Sequence, residues 1–266
     1  LMFSQNRYFG TVAQQGLECR ADLLWQIVKN DPNYCFHGRA VGLLKQGTED
    51  VGAQIALARL QGLGPSPQLT PEVTAARVLE IESAGLAVEV QQRWSADKDG
   101  VIMARDLLRQ RDLPTELTVC EVGIETSDDE LGKIDDLTQS CGILLPASAF
   151  LRGDAGPAVC LFAKTSDGSV IGFAAALVQA TCAPSEQGKA WWGFLSTNDE
   201  WRGRGVAKIL GAMAMVRMAE RHDIQQFETG ILAENAASIA VSRTLGFSTS
   251  GLLDLLAIDA GILSKV

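Results

Sequence analysis

From residue 115 onward the apolar positions alternate between strand-like runs and helix-like spacing. The runs 158–164 and 170–178 are apolar throughout, and Thr165-Ser166-Asp167-Gly168-Ser169 between them reads as a hairpin turn. A third strand, rich in aromatics, is expected over 190–197. A long helix follows over 206–221, with Val206, Ile209, Leu210, Met213, Val216 and Arg217 spaced for one face. A strand over 226–232, a helix over 235–245 and final strands from Gly246-Phe247 to near Ile258 complete the series. Upstream, 117–121 reads as a strand. Ser127-Asp128-Asp129-Glu130 caps a helix carrying Leu131, Ile134, Leu137 and Cys141 on one face. The order strand, helix, three strands, helix, strand, helix, strand predicts an α/β (α+β) fold. Its sheet is mixed and mostly antiparallel, with one parallel crossover and flanking helices.

The first 112 residues have a different rhythm and predict a helix-rich region. Helices are expected over 19–29, 51–60, 70–83 and 99–111, with Thr70 as N-cap and Pro71 at the first helical position. One short strand is expected at 86–90. Gly62-Leu63-Gly64-Pro65-Ser66-Pro67 reads as the clearest breaker in the chain. The expected division is an accessory region over 1–112 and a second domain over 113–266.

Composition narrows the function. With 47% hydrophobic residues the 266-residue chain can bury a full core, and its net charge of -9 opposes sequence-independent nucleic-acid binding. Six cysteines without a Cys-x-x-Cys pair, and only His37 and His222, predict no metal site. No apolar run reaches the roughly 18 residues of a membrane span. A soluble cytoplasmic protein is the expectation, with no nucleic-acid or membrane partner.

The segment with chemistry is Trp201-Arg202-Gly203-Arg204-Gly205-Val206-Ala207-Lys208, between a strand and the long helix. A glycine turn feeding a helix leaves several backbone N–H groups without partners and aims them, with the positive end of the helix dipole, at one point. Such a turn suits a phosphate-bearing ligand. The P-loop pattern is absent, and the dinucleotide fingerprint fails because Lys208 stands at its third small position.

These residues resemble the GCN5-related N-acetyltransferase (GNAT) family. Its acyl-CoA loop, Arg/Gln-x-x-Gly-x-Gly/Ala, is matched by Arg202, Gly205 and Ala207, and its Asn-to-Gly-Phe helix by Asn235 through Gly246-Phe247. The Asn235-x-x-Ser238 spacing and the Leu245-Gly246-Phe247 ending look most like the branch of ribosomal-protein N-terminal acetyltransferases. The resemblance spans about 115–258 and implies a GNAT-type sheet. It implies that backbone amides from Arg202 to Lys208, with Gly203, Arg204, Gly205, Val206 and Ala207 between, hold a pyrophosphate. It implies that Leu195, Ser196 and Thr197 on a bulged strand pair with the pantetheine arm, and that Asn235 bonds near the thiol end. The implied function is an acetyl-CoA-dependent N-acetyltransferase in which a primary amine of a small molecule or protein attacks the thioester directly. The alternative is a catalytically weak acyl-CoA-binding module.

The pattern departs where many relatives carry a tyrosine acid, four residues before Gly-Phe; this chain has Ser242. Ser238 is then the candidate acid. Candidate bases are Glu228, Glu121, Glu125 or a water chain. Trp191, Trp192 and Phe194 are expected in the core and cleft wall, and His37 receives no role. The region over 1–112 reads as an accessory domain or a degenerate copy of the same fold. The expected partners are acetyl-CoA and an amine acceptor, with a homodimer as one assembly open to the chain.

Overall fold

The structure is a computed structural model and describes residues 6–263. Its elements are α1 (Val12–Val28), β1 (Tyr34–Phe36), β2 (Val41–Leu43), α2 (Val51–Gln61), β3 (Leu63–Leu69), α3 (Pro71–Ser83), β4 (Ala87–Ala96) and α4 (Lys98–Gln110). Then follow β5 (Thr118–Glu121), α5 (Asp128–Ser140), α6 (Ser148–Leu151), β6 (Ala158–Lys164), β7 (Val170–Leu177) and β8 (Lys189–Thr197). The chain continues with α7 (Val206–His222), β9 (Gln226–Ile231), α8 (Ala236–Thr244), β10 (Ser248–Ile258) and α9 (Ala260–Leu263). The caps read from sequence form: Thr70 accepts from the Val73 amide at 3.3 Å and Ser127 from the Glu130 amide at 3.2 Å.

Two expectations for the first 112 residues need correction. The stretch 62–67 is not a breaker but leads into and forms most of strand β3, and the described residues of the region contribute four strands as well as helices. Strand β3 forms one edge of an eight-stranded sheet of order β3-β10-β4-β9-β8-β7-β6-β5, where Pro65 and Pro67 are tolerated because no further strand demands their missing N–H groups. The short strand expected at 86–90 extends to Ala96 and lies in the middle of the sheet.

Strand exchange ties the two halves together. β4, from the first half, pairs antiparallel with both β9 and β10; β10, from the second half, pairs antiparallel with both β3 and β4. The run β2-α2-β3-α3-β4 thus repeats the order β8-α7-β9-α8-β10, each set holding the other's last strand between its own last two. The pairs β8/β9 and β2/β3 are the corresponding places in this arrangement.

In the first half the β2/β3 place is sealed. Gln61 bridges it by accepting from the Val41 amide at 3.0 Å and donating to the Val41 carbonyl at 2.7 Å. Ser66 donates to the Leu43 carbonyl at 3.1 Å. Buried Arg77 completes the seal, donating to Gln54, Ser66 and the carbonyls of Lys45 and Gly47. Between β8 and β9 the side-chain link among the described residues is the Lys189–Glu228 ion pair at 3.7 Å, at the paired end of the two strands.

Among the described residues the two larger of three apolar clusters lie on opposite faces of the sheet. Val206, Leu210, Met215 and Met218 of α7 pack with Trp192, Phe227 and Phe247 on one side; Phe36, Val41 and Leu43 pack with Leu131, Phe162 and Phe173 on the other. The glycines Gly172 and Gly211 let α7 lie close: a Cβ at Gly172 would meet Val206 at 2.4 Å, and one at Gly211 would meet Trp192 at 2.7 Å. Among the described residues no helix is long and apolar enough to cross a membrane.

Candidate acyl-carrier cleft

Strands β8 and β9 run parallel, yet their ladder consists of three pairs only, Lys189↔Gln226, Ala190↔Phe227 and Trp191↔Glu228. Beyond Trp191 they part. The cause is local to β8: its register with β7 slips between Gly193 and Ser196, with Phe194 at a φ of 57°. A bulky residue at positive φ is a true outlier and marks a bulge that swings the strand away from its neighbour. The gap widens into a cleft of about 990 Å³, lined at one end by the loop into α7 and at the other by the β1–β2 turn.

At the loop end, Gly203 and Gly205 adopt φ values of 79° and 81°, which glycine allows at little cost. The first backbone bond of α7 runs from the Ile209 amide to the Gly205 carbonyl at 2.9 Å. The amides of Val206, Ala207 and Lys208 therefore have no intrahelical acceptor and face the cleft mouth with the helix dipole behind them. A Cβ at Gly203 would meet nothing within 4 Å, so the backbone there is open to a ligand. These features fit a pyrophosphate. Arg202 is held by Asp199 at 2.7 Å, and the Arg204 guanidinium lies 4.5 Å from the Trp201 ring centroid.

Most residues singled out from sequence converge on this cleft. Leu195, Thr197, Arg202, Gly203, Gly205, Val206, Ala207, Lys208, Asn235 and Ser238 line it. Asn235 caps α8 by accepting from the Ser238 amide at 3.0 Å, and Ser242 lines the cleft one turn further on. The Ser242 hydroxyl is buried and has no hydrogen-bond partner. Five of the singled-out residues do not line the cleft. Ser196 is buried, its hydroxyl donating to the Phe194 carbonyl at 3.2 Å; Arg204 stacks on Trp201; and Glu228 is bound to Arg93 and lies 3.7 Å from Lys189. Glu121 pairs with Arg217 at 2.8 Å and with Arg221, and Glu125 is exposed outside the cleft.

The closed end holds groups that the sequence did not mark. Buried Arg93 forks onto Asp254, 3.0 Å to each carboxylate oxygen, and also binds Glu228. Burial opposes the charge on Arg93, but Asp254 and Glu228 outweigh it and raise its pKa. His37 and Arg39 enter from the β1–β2 turn. Burial, reinforced by Arg39, pulls the His37 imidazole down to about 3, so it is neutral near pH 7. Its Nδ1 has no partner, and its ring lies 6.4 Å from that of Trp191. Nothing periodic or motif-like surrounds His37 and Arg39; only the packing of their turn against β8 reveals them.

Residues 133–247 match the acetyltransferase (GNAT) family. No curated protein matches the chain in sequence. Among solved structures, a GCN5-related N-acetyltransferase from Kribbella flavida is similar at a TM-score of 0.53 and 13% identity, covering 94% of this chain and 98% of its own. A Drosophila protein is similar at a TM-score of 0.55 and 13% identity, over 93% of this chain and 89% of its own. A tandem GNAT protein from the clavulanic acid biosynthesis pathway is similar at a TM-score of 0.51 and 15% identity, over 78% of this chain and 68% of its own. The fold is that of the GNAT proteins.

Proposed function

We propose that this GNAT-fold chain is an acetyl-CoA-dependent N-acetyltransferase acting on a primary amine. The observation that carries the reading is the contrast between its two corresponding strand pairs: β2/β3 is sealed by side chains, while β8/β9 is open and faces a helix N-terminus with unpaired amides. The family match over residues 133–247 and the shared fold imply acyl transfer from acetyl-CoA. The resemblance to the ribosomal-protein branch rests on Asn235, Ser238 and Leu245-Gly246-Phe247 alone. On this reading residues 1–112 are a partial copy of the same fold, with a plugged slot, that roofs the acceptor end.

Acetyl-CoA, when bound, supplies a thioester whose carbonyl carbon an amine can attack. The loop amides of Val206, Ala207 and Lys208 neutralise its diphosphate, and the backbone of Leu195 and Thr197, which has no partner on β9, lines the arm. A backbone N–H at the β8 bulge stabilises negative charge developing on the carbonyl oxygen. Ser238 stands in the cleft as the acid that returns a proton to the leaving thiolate. Glu228, the carboxylate first considered as base, is tied to Arg93 and Lys189, so a water relayed to it from the cleft is the route by which it takes the amine proton.

The missing tyrosine, with Ser242 in its place, favours a second reading: an acyl-CoA-binding module with little turnover. Thiol release from acetyl-CoA over a panel of primary amines, run beside a CoA binding isotherm, separates the two. Saturable binding with amine-dependent thiol release supports the enzyme. Binding without release on any amine supports the module.

A further inference from the structure

Arg39 is the unusual group in the cleft. Its guanidinium makes no hydrogen bond or ion pair among the described residues, and its Nε is fully shielded from solvent. Other interior arginines are satisfied differently: Arg77 by carbonyls and side-chain acceptors, Arg93 by two carboxylates. Arg39 has only a ring, that of Phe194, 4.9 Å below its guanidinium carbon. A half-buried guanidinium that faces a cleft without an anion is costly, and such a group persists where a ligand completes it.

Its position is fixed by packing. Gly38, at a φ of 83°, sits so tightly that a Cβ there would meet Phe150 at 2.7 Å and Pro146 at 2.8 Å, and its carbonyl accepts from the Ala147 amide at 2.9 Å. The side chain that follows is aimed at the β8 bulge. The two acids that influence it electrostatically do not pair with it. Glu18 is wholly buried, and desolvation pushes its carboxyl up to about 9, so it is uncharged near pH 7. Glu89 lines the same cleft, with one oxygen accepting from Gln91 at 2.7 Å.

We infer that the acceptor is a small aminocarboxylate, an amino-acid-like molecule whose carboxylate is held by the Arg39 fork on top of Phe194. Glu89, which lines the same cleft, supplies the complementary charge for the ammonium end. A single fixed cation beside a carboxylate suits a zwitterion better than a dianion such as phosphate. Because Phe194 is itself the bulge residue, a carboxylate on Arg39 leaves the amine only a few bonds from the place proposed for the acyl group. The inference rests on the acetyltransferase reading but is tested apart from it.

The experiment compares wild type with Arg39→Gln and Arg39→Lys on three matched sets: amino acids, their carboxamides and their decarboxylated amines. Inorganic phosphate serves as a further ligand. Thiol release gives KM and kcat, and ligand-induced shifts in melting temperature give binding without turnover. The expected result is that wild type prefers the acids, that Arg39→Gln raises their KM by about 30-fold or more, and that Arg39→Lys recovers part of the loss. The carboxamides should change little between the proteins, and CoA affinity should stay the same in all three. Equal use of acids and carboxamides by wild type, an Arg39→Gln enzyme unaltered toward the acids, or stabilisation by phosphate in place of the acids would overturn the inference. If no amine is acetylated yet acids stabilise wild type and not Arg39→Gln, the carboxylate site stands and the proposed reaction falls.

Discussion

Glu18 shows how strongly one residue can tie this fold to pH. Its carboxyl is held at about 9 by burial, against an ordinary 4.5. Below about pH 4.5 both the folded and unfolded chains carry the proton, and no difference arises. Between there and about pH 9 the unfolded chain releases it while the folded one keeps it, so stability falls as pH rises, by about 1.4 kcal/mol per unit at most. Glu18→Gln should remove this slope: equilibrium denaturation should find the variant more stable than wild type at pH 8, by on the order of 1–3 kcal/mol, and little different at pH 4.5. A second residue-scale prediction concerns α8. Ser238→Ala should lower kcat about 100-fold with CoA affinity intact. Ser242→Ala, which removes a buried hydroxyl without a partner, should leave stability unchanged or raise it by about 1 kcal/mol. Steady-state kinetics on both variants decides the assignment, since a loss of kcat in Ser242→Ala instead would move the acid one turn along the helix.

At the level of elements, α7 is placed by two glycines as much as by its own apolar face. Gly172→Val would drive a branched side chain into Val206, at the first turn of the helix and directly beneath the loop amides. Overpacking of this kind costs about 1–3 kcal/mol. The variant should show that loss in denaturation together with weakened CoA binding, because the helix start must move. Elements built from local signals were legible in the sequence: the glycine loop, the Thr70 and Ser127 caps, the hairpin at 165–169 and α7 itself all came from short-range chemistry. Strand β3 was not. Pro65 and Pro67 read as a breaker, and only the position of β3 at a sheet edge makes them acceptable.

For the whole molecule, the interleaving of β4 and β10 makes each half depend on the other. A chain beginning at residue 113 would lack β4 and leave β9 and β10 without the strand between them. Such a fragment should be unfolded or aggregated, while the full chain should unfold in one cooperative transition when followed by circular dichroism and fluorescence together. This dependence was invisible in the sequence because it joins residues more than 130 positions apart. Arg39 and His37 escaped notice for the same reason: their meaning comes from Phe194 and Trp191, far along the chain.

In the proposed function the loop before α7 grips the carrier's diphosphate, and Gly205 allows a direct test. A side chain there has room, with Ile209 at 3.9 Å and Lys208 at 4.0 Å from a Cβ, although the φ of 81° strains any other residue by about 1 kcal/mol. Gly205→Asp should therefore stay folded while its carboxylate repels the anion. Calorimetric titration of CoA into both proteins, with melting temperatures recorded alongside, should show saturable binding to wild type and at least a hundredfold weaker binding to the folded variant, about 3 kcal/mol. Equal affinity in the two would contradict the placement of the carrier and everything built on it.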